Sequence, residues 1–158
     1  QIRTHHHHHH HHQQHTIMKI IALAFSLLAA STASLDNDAF SQLLGMEIKD
    51  LELGFCQLSC PVSKQTTNGF QIAHGGLTYS LADSALAFAA NTYGYQCMSI
   101  DTQIAHLAKV QLGDTLMATC TEVHRGKTTG VYEVRIENQH QKVVAYFKGT
   151  VYISEQRW

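Results

Sequence analysis

One carboxylate stands alone in an apolar stretch of this chain. Residues 68–94, NGFQIAHGGLTYSLADSALAFAANTYG, contain a single charged side chain, that of Asp83. Burial disfavours the charged form of a carboxyl group by about 2 kcal/mol or more unless a partner compensates, so Asp83 is a candidate for chemistry. The alternative is a structural role, in which Asp83 caps a neighbouring loop or is paired at a subunit interface.

Gly75, in the motif HGG, lies eight residues before Asp83. Helix N-termini expose unpaired backbone N–H groups, and glycine lets a ligand approach them closely. Such donors stabilise an oxyanion and an acid activates a nucleophile, which are the requirements of acyl transfer. On one helix, Gly75 and Asp83 would lie about 12 Å apart along the axis and roughly 80° apart around it. The spacing therefore predicts a site shared between two copies at a dimer interface.

The stretch from Gly75 to Asn91 has apolar side chains on every side, which is typical of a buried helix. Gly94 is expected to end it. Before this helix, the sequence predicts a short helix with Asp36 or Asn37 as its N-cap and a glycine, Gly45, as its C-cap. Residues 46–62 then predict a pair of strands.

After Gly94, four β-rich runs separated by short turns indicate an antiparallel meander. The runs are residues 98–110, 115–125, 129–139 and 143–153. The turns leave no room for parallel crossovers. One buried helix and about six antiparallel strands predict an α+β domain whose sheet curls around the helix.

Composition limits the remaining possibilities. Nine of the 13 histidines lie in residues 1–17, which are typical of an expression tag, and the other four have no metal-site spacing, so we predict no metal. The formal net charge of -1 gives no field to attract nucleic acid. The four cysteines form no C-x-x-C pair, and we expect them to be reduced and buried.

Residues 18–34 raise a targeting question. Their sequence from Met18 to Ala33, MKIIALAFSLLAASTA, resembles a secretory signal peptide, and its apolar run is too short to span a bilayer. The alternatives are an extra amphipathic helix outside the domain and a remnant of cloning. We expect the folded domain to span residues 35–158.

Two stretches resemble the hotdog-fold acyl-CoA thioesterases, and most closely their phenylacetic-acid-degradation, or phenylacetyl-CoA thioesterase, type. They are N-G-x-x-x-x-H-G-G-x-x-x-x-L-A-D from Asn68 to Asp83 and HLAKVQLGDTLMATCTEVHRGKTTGVYEVRI at residues 106–136. The resemblance covers about residues 35–154. It implies a long central helix wrapped by an antiparallel sheet of about five to six strands, in a homodimer or a homotetramer built as a dimer of dimers.

The resemblance also implies an activity and its residues. The enzyme would hydrolyse an aryl or medium-chain acyl-CoA in the cytoplasm, with CoA as part of the substrate, no separate cofactor, and neither nucleic acid nor a membrane as partner. Asp83 would be the nucleophile or the general base, and the Gly75 amide the oxyanion donor. The implied catalytic residues are Asp83, Gly75, Asn68, His74 and Ser99, and the implied residues of CoA binding are Gly76, Arg125, Gly126 and Lys127.

Two other classes stay open on the sequence. A hotdog hydratase or dehydratase would pair a histidine with an acid in a different register, and no second acid lies near His74. A non-catalytic acyl-CoA-binding protein would keep the fold without needing Asp83. For an acyl pocket, the helix offers Leu77, Tyr79, Leu81 and Phe88, although such residues are more often plain core.

Overall fold

The computed structural model describes residues 36–157, together with residues 14, 18, 21 and 22. The expected tag and the signal-like segment 18–34 lie outside the described residues, those four positions aside. No helix within the described residues is long and apolar enough to cross a bilayer. The elements are α1 (Ala39–Leu43), β1 (Glu47–Glu52), β2 (Phe55–Pro61), a 3-10 turn (Lys64–Thr66), α2 (Gly75–Asn91), β3 (Tyr95–His106), β4 (Thr115–Arg125), β5 (Thr129–Glu137) and β6 (Val143–Arg157).

The central helix α2 is buried, as its sequence predicts. Leu81, Ala82, Ala85 and Leu86 are completely inaccessible to solvent. Beyond the helix, Gly94 has a φ of +79° and its N–H donates to the carbonyl of Asn91 at 3.0 Å. Glycine adopts this left-handed conformation without the clash that a Cβ would cause, so the helix ends where the sequence indicates.

The six strands form one antiparallel sheet in the order β1-β2-β4-β5-β6-β3. The helix α2 packs against all six strands. Strands β1 and β3 are the two edges of this sheet. The predicted α+β hotdog architecture, in which one long helix is wrapped by a curled antiparallel sheet, is therefore confirmed.

The helix α2 approaches the sheet closely at Gly149 on β6. A Cβ built at Gly149 would lie 2.6 Å from Cδ2 of Leu86 and 3.0 Å from Cε1 of Phe147. Neither neighbour has room to withdraw, because Leu86 and Phe147 are fully buried. Glycine at this position lets the helix sit directly on the sheet.

Three local expectations were wrong. The N-cap of α1 is Asp38 rather than Asp36 or Asn37, and its carboxylate accepts from the N–H of Ser41 at 3.0 Å. Strand β3 begins at Tyr95, three residues before the predicted run, and ends at His106. It pairs with β6 rather than with β4, because the connection from residue 107 to residue 114 carries the chain away before β4 begins. Only β4, β5 and β6 form the expected meander.

Candidate active site

The N-terminus of α2 presents one backbone donor without an acceptor. His74 caps the helix, and its Nδ1 accepts the N–H of Gly76 at 2.8 Å. The N–H of Leu77 donates to the carbonyl of His74 at 2.9 Å. Within the described residues, the N–H of Gly75 has no acceptor. His74 therefore positions the helix start, and Gly75 carries the donor that a ligand can reach.

A cavity of about 440 Å³ opens beside this donor, and Asn68 lines it with Gly75. Asn68 starts a tight turn in which its Oδ1 accepts the N–H of Phe70 at 2.9 Å. Gln71 in the same turn has a φ of +61°. Among the described residues nothing accepts a hydrogen bond from Asn68 Nδ2, so this amide group is also available to a ligand.

His106 completes the wall of this cavity, and sequence reasoning did not assign it to the site. Its Nε2 lies 2.8 Å from Oγ1 of Thr78, and its Cε1 would lie 3.1 Å from a Cβ built at Gly75. His106 is the last residue of β3, which directly follows α2 and runs back along it. A strand with this connection ends near the beginning of its helix, and that signal could have identified His106.

Asp83 lies on α2 beside the edge strand β3. It is half-buried, and the Ser99 hydroxyl is its hydrogen-bond partner. Burial raises the pKa of the Asp83 carboxyl above its ordinary value, and the Ser99 hydrogen bond opposes that increase without cancelling it. A carboxyl group held in this state is a better proton acceptor than a solvated one, because its conjugate acid is weaker.

The Asp83 carboxyl and the Gly75 cavity are separate within one chain. None of the described residues lining the cavity is an acid. Asp83 and Ser99 instead adjoin the outer edge of β3, where the apolar side chains of Met98 and Ile100 are 57% and 61% exposed. The predicted catalytic residues thus form two groups. One group, at the start of α2, is Asn68, His74 and Gly75. The other, at the edge of the sheet, is Asp83 and Ser99.

The opposite end of α2 lies near Arg125, the last residue of β4, and near Gly126 and Lys127 of the β4–β5 turn. They line a second cavity of about 500 Å³ to which Arg157 also contributes. Arg125 is engaged with the protein, because its Nη1 donates to Tyr132 Oη at 3.1 Å and to the last turn of α2 at the Ala90 carbonyl, 3.4 Å away. Lys127 is exposed to solvent.

Leu77, Leu81 and Phe88 belong to the core, and each is 4% exposed or less. Tyr79 is 37% exposed, and its hydroxyl bonds to Thr102 Oγ1.

All four cysteines are free and buried, as expected, and burial raises the pKa of the Cys56 thiol to about 12. Such thiols are poor nucleophiles. In the part of the chain that the structure describes, no group of three or more His, Cys, Asp or Glu side chains is placed to hold a metal ion.

Known proteins are similar to this chain in both sequence and fold. The thioesterase superfamily profile matches residues 70–145. The acyl-coenzyme A thioesterase PaaI of Escherichia coli (strain K12) is 43% identical over 117 residues, which are 74% of this chain and 84% of that protein. The structure of E. coli PaaI, from the phenylacetic acid degradation operon, matches with a TM-score of 0.83 and 38% identity over 85% of this chain and 98% of that chain.

A second relative was solved with a ligand. It is a protein of Streptococcus mutans UA159 bound to acetyl-CoA, and it matches with a TM-score of 0.69 and 27% identity over 72% of this chain and 91% of that chain. Identity of 43% that extends over most of both chains, on the same fold, shows common descent. The chain therefore belongs to the thioesterase superfamily and is a thioester hydrolase with the hotdog fold.

Proposed function

We propose that this protein hydrolyses an aryl or medium-chain acyl-CoA to the free acid and CoA, at a site shared between two copies of the chain. The observation that carries the proposal is the unpaired N–H of Gly75 at the wall of a cavity. A thioester carbonyl gains negative charge on its oxygen as a nucleophile attacks. A preorganised donor at that oxygen lowers the barrier by about 3 to 4 kcal/mol.

Asn68 supports the same role. Its Nδ2 is a second donor at the wall of the cavity, held by a turn that fixes the side chain through Oδ1. A fixed amide orients either the thioester oxygen or the attacking water, and orientation by residues that are already ordered costs little entropy during the reaction. His74 contributes indirectly, because its cap on Gly76 fixes the first turn that carries Gly75.

Asp83 supplies the activation, as nucleophile or as general base. The pKa of this carboxyl is raised by burial, and a raised pKa favours proton abstraction from a water molecule near neutral pH. Ser99 orients the carboxyl through its hydrogen bond. As a nucleophile, Asp83 would form an anhydride with the acyl group and release CoA, after which water would cleave the anhydride.

The second copy of the chain resolves the separation of the two groups. The cavity beside Gly75 has no acid among its described lining residues, while Asp83 adjoins an edge strand with exposed apolar side chains. Edge-to-edge pairing of β3 with the β3 of a second copy would cover those side chains and bring Asp83 toward the partner's helix start. A homodimer, or a homotetramer made of two such dimers, follows from this arrangement.

CoA is part of the substrate in this proposal. The relative from Streptococcus mutans was solved with acetyl-CoA, which supports binding of an acyl-CoA by this fold. The cavity at Arg125, Gly126 and Lys127 is a candidate for its phosphates, with Lys127 as the exposed cation. Gly76 packs beside Gly75 at the helix start. The relation to the E. coli enzyme makes phenylacetyl-CoA a substrate to test first.

Hydrolysis of a panel of aryl and alkyl CoA esters, with an enoyl-CoA included, tests the proposal. We expect free CoA to appear from at least one ester, and Asp83→Asn to reduce kcat by about 100-fold or more while binding of the ester, measured by calorimetry, persists. Asp101→Asn is the matched control, because Asp101 is an exposed acid on β3, the strand that carries Ser99. Unchanged hydrolysis by Asp83→Asn would remove the mechanism, and hydration of the enoyl-CoA would indicate the hydratase class instead.

A further inference from the structure

His106 belongs to the cavity beside Gly75 but has no role in the chemistry described above. It is the histidine at the end of β3, and it lines the cavity together with Asn68 and Gly75. Its ring lies against Gly75, since a Cβ built there would meet Cε1 at 3.1 Å, Nε2 at 3.4 Å and Nδ1 at 3.8 Å. A ligand atom held by the Gly75 N–H therefore lies next to this imidazole.

The hydrogen bonds of Thr78 fix which nitrogen of His106 carries the proton. Thr78 Oγ1 lies 2.9 Å from the carbonyl oxygen of Gly75, which can only accept. The hydroxyl has a single proton, and it donates that proton to this carbonyl. The contact of 2.8 Å between Thr78 Oγ1 and His106 Nε2 then requires Nε2–H to be the donor.

In the neutral imidazole, a proton on Nε2 makes Nδ1 an acceptor. No described residue donates a hydrogen bond to His106 Nδ1. The cavity wall thus presents a donor at Gly75 and an acceptor at His106, side by side. A ligand that matches both needs a carbonyl oxygen and, a short distance along its chain, an N–H group.

We propose that His106 is a specificity-determining residue, whose Nδ1 accepts a hydrogen bond from the amide N–H of the thiol half of the substrate. The inference rests on the proposed acyl-CoA thioesterase function. In a CoA thioester, the sulfur is followed by two methylene groups and then by an amide N–H. With the thioester oxygen on Gly75, this N–H is the first donor of the ligand that the neighbouring ring can meet. Thr78 holds the ring in the orientation that the contact needs.

Two small thioesters that differ in one atom test this contact. One is the acyl thioester of N-acetylcysteamine, which keeps the amide N–H, and the other is its ester isostere, in which oxygen replaces the N–H. Their inhibition constants against hydrolysis of an acyl-CoA give the preference for the amide, whether or not either compound is itself hydrolysed. We expect the protein to prefer the amide by about three- to tenfold, which is the value of one hydrogen bond.

The variants assign the preference to His106. His106→Phe should abolish the preference, and His106→Asn should restore part of it, because the asparagine carbonyl can accept from nearly the same place. His140→Phe is the matched control, because His140 lies in the β5–β6 turn outside the cavity, and it should keep the full preference. A merely structural role of His106 would weaken both compounds equally and leave their ratio unchanged.

The outcomes separate the two proposals. Hydrolysis of acyl-CoA without an amide preference, or with a preference that survives His106→Phe, overturns the role of His106 and leaves the thioesterase mechanism standing. Absence of hydrolysis of every acyl-CoA overturns the proposed function and this inference with it. Unfolding curves of each variant show whether it is folded. If His106→Phe is misfolded, the amide preference of His106→Asn is compared with that of the wild type instead.

Discussion

Replacement of Gly75 by alanine separates the need for a close ligand approach from the stability of the helix. The substitution keeps the backbone N–H and adds one methyl group at the cavity wall. A Cβ at this position would lie 3.1 Å from His106 Cε1, which is tight, but His106 is exposed at the end of a strand and can yield by a few tenths of an ångström. The φ of Gly75 is not positive, so alanine fits the backbone at this position.

Gly75→Ala is expected to change the free energy of unfolding little and to reduce the catalytic rate strongly. Alanine is favoured over glycine within a helix by up to about 1 kcal/mol, and the contact with His106 offsets part of this gain. The free energy of unfolding should therefore stay within about 1 kcal/mol of the wild-type value. The methyl group occupies the space that a carbonyl oxygen needs to reach the N–H. Misplacement by about 1 Å or loss of one oxyanion donor costs about 100-fold in rate.

The assay is kcat/KM for the best acyl-CoA of the panel, with urea unfolding measured on the same samples. Gly69→Ala is the matched control, because a Cβ at Gly69 would have no neighbour within 4 Å, and both quantities should stay at their wild-type values. If Gly75→Ala kept full activity and wild-type stability, the Gly75 amide would not be the oxyanion donor, and the assignment of the cavity would be wrong.

Three further outcomes are expected. Ser99→Ala removes the hydrogen bond that lowers the pKa of Asp83, so the acid limb of the pH–rate profile should move to higher pH. In the folded state burial raises the pKa of Asp83, so the contribution of this carboxyl to stability is complete at acid pH and is lost as pH rises through that pKa. Asp83→Asn should therefore be more stable than wild type at pH 7, by less than about 1 kcal/mol because the carboxyl is only half-buried. Unfolding measured as a function of pH should show this difference vanish in acid. Tyr132→Phe should lower the free energy of unfolding by about 1–3 kcal/mol in denaturant titrations, since the buried hydroxyl bonds both Glu122, at 2.7 Å, and Arg125.

The fold could be predicted because its signals are local. The alanine-rich stretch before Gly94 has no polar face, and the short turns after it allow only antiparallel strands. The position of β3 could not be predicted from such signals. Its partner is β6, far along the chain, and the register between them is set by side chains that the sequence does not bring together.

The candidate site was predictable only in part, for the same reason. The HGG motif and the carboxylate of Asp83 are close in sequence, and helix geometry alone indicates that they point to different places. His106 is 31 residues after Gly75, and only the return of β3 along α2 brings its ring to the cavity. Arg125 shows the converse. Its position beside a turn predicts a cation free to bind a phosphate, but its guanidinium is bound to Tyr132 and to the end of the helix.

A mixed-variant experiment tests the shared site most directly. Asp83→Asn and Gly75→Ala are each expected to be nearly inactive alone. When they are mixed in equal amounts and allowed to exchange subunits, half of the dimers should be mixed, and each of these should contain one intact site of two, which predicts about a quarter of the wild-type activity. Recovery to that level would support the two-chain site. No recovery, with mixed dimers demonstrated by native mass spectrometry, would contradict it.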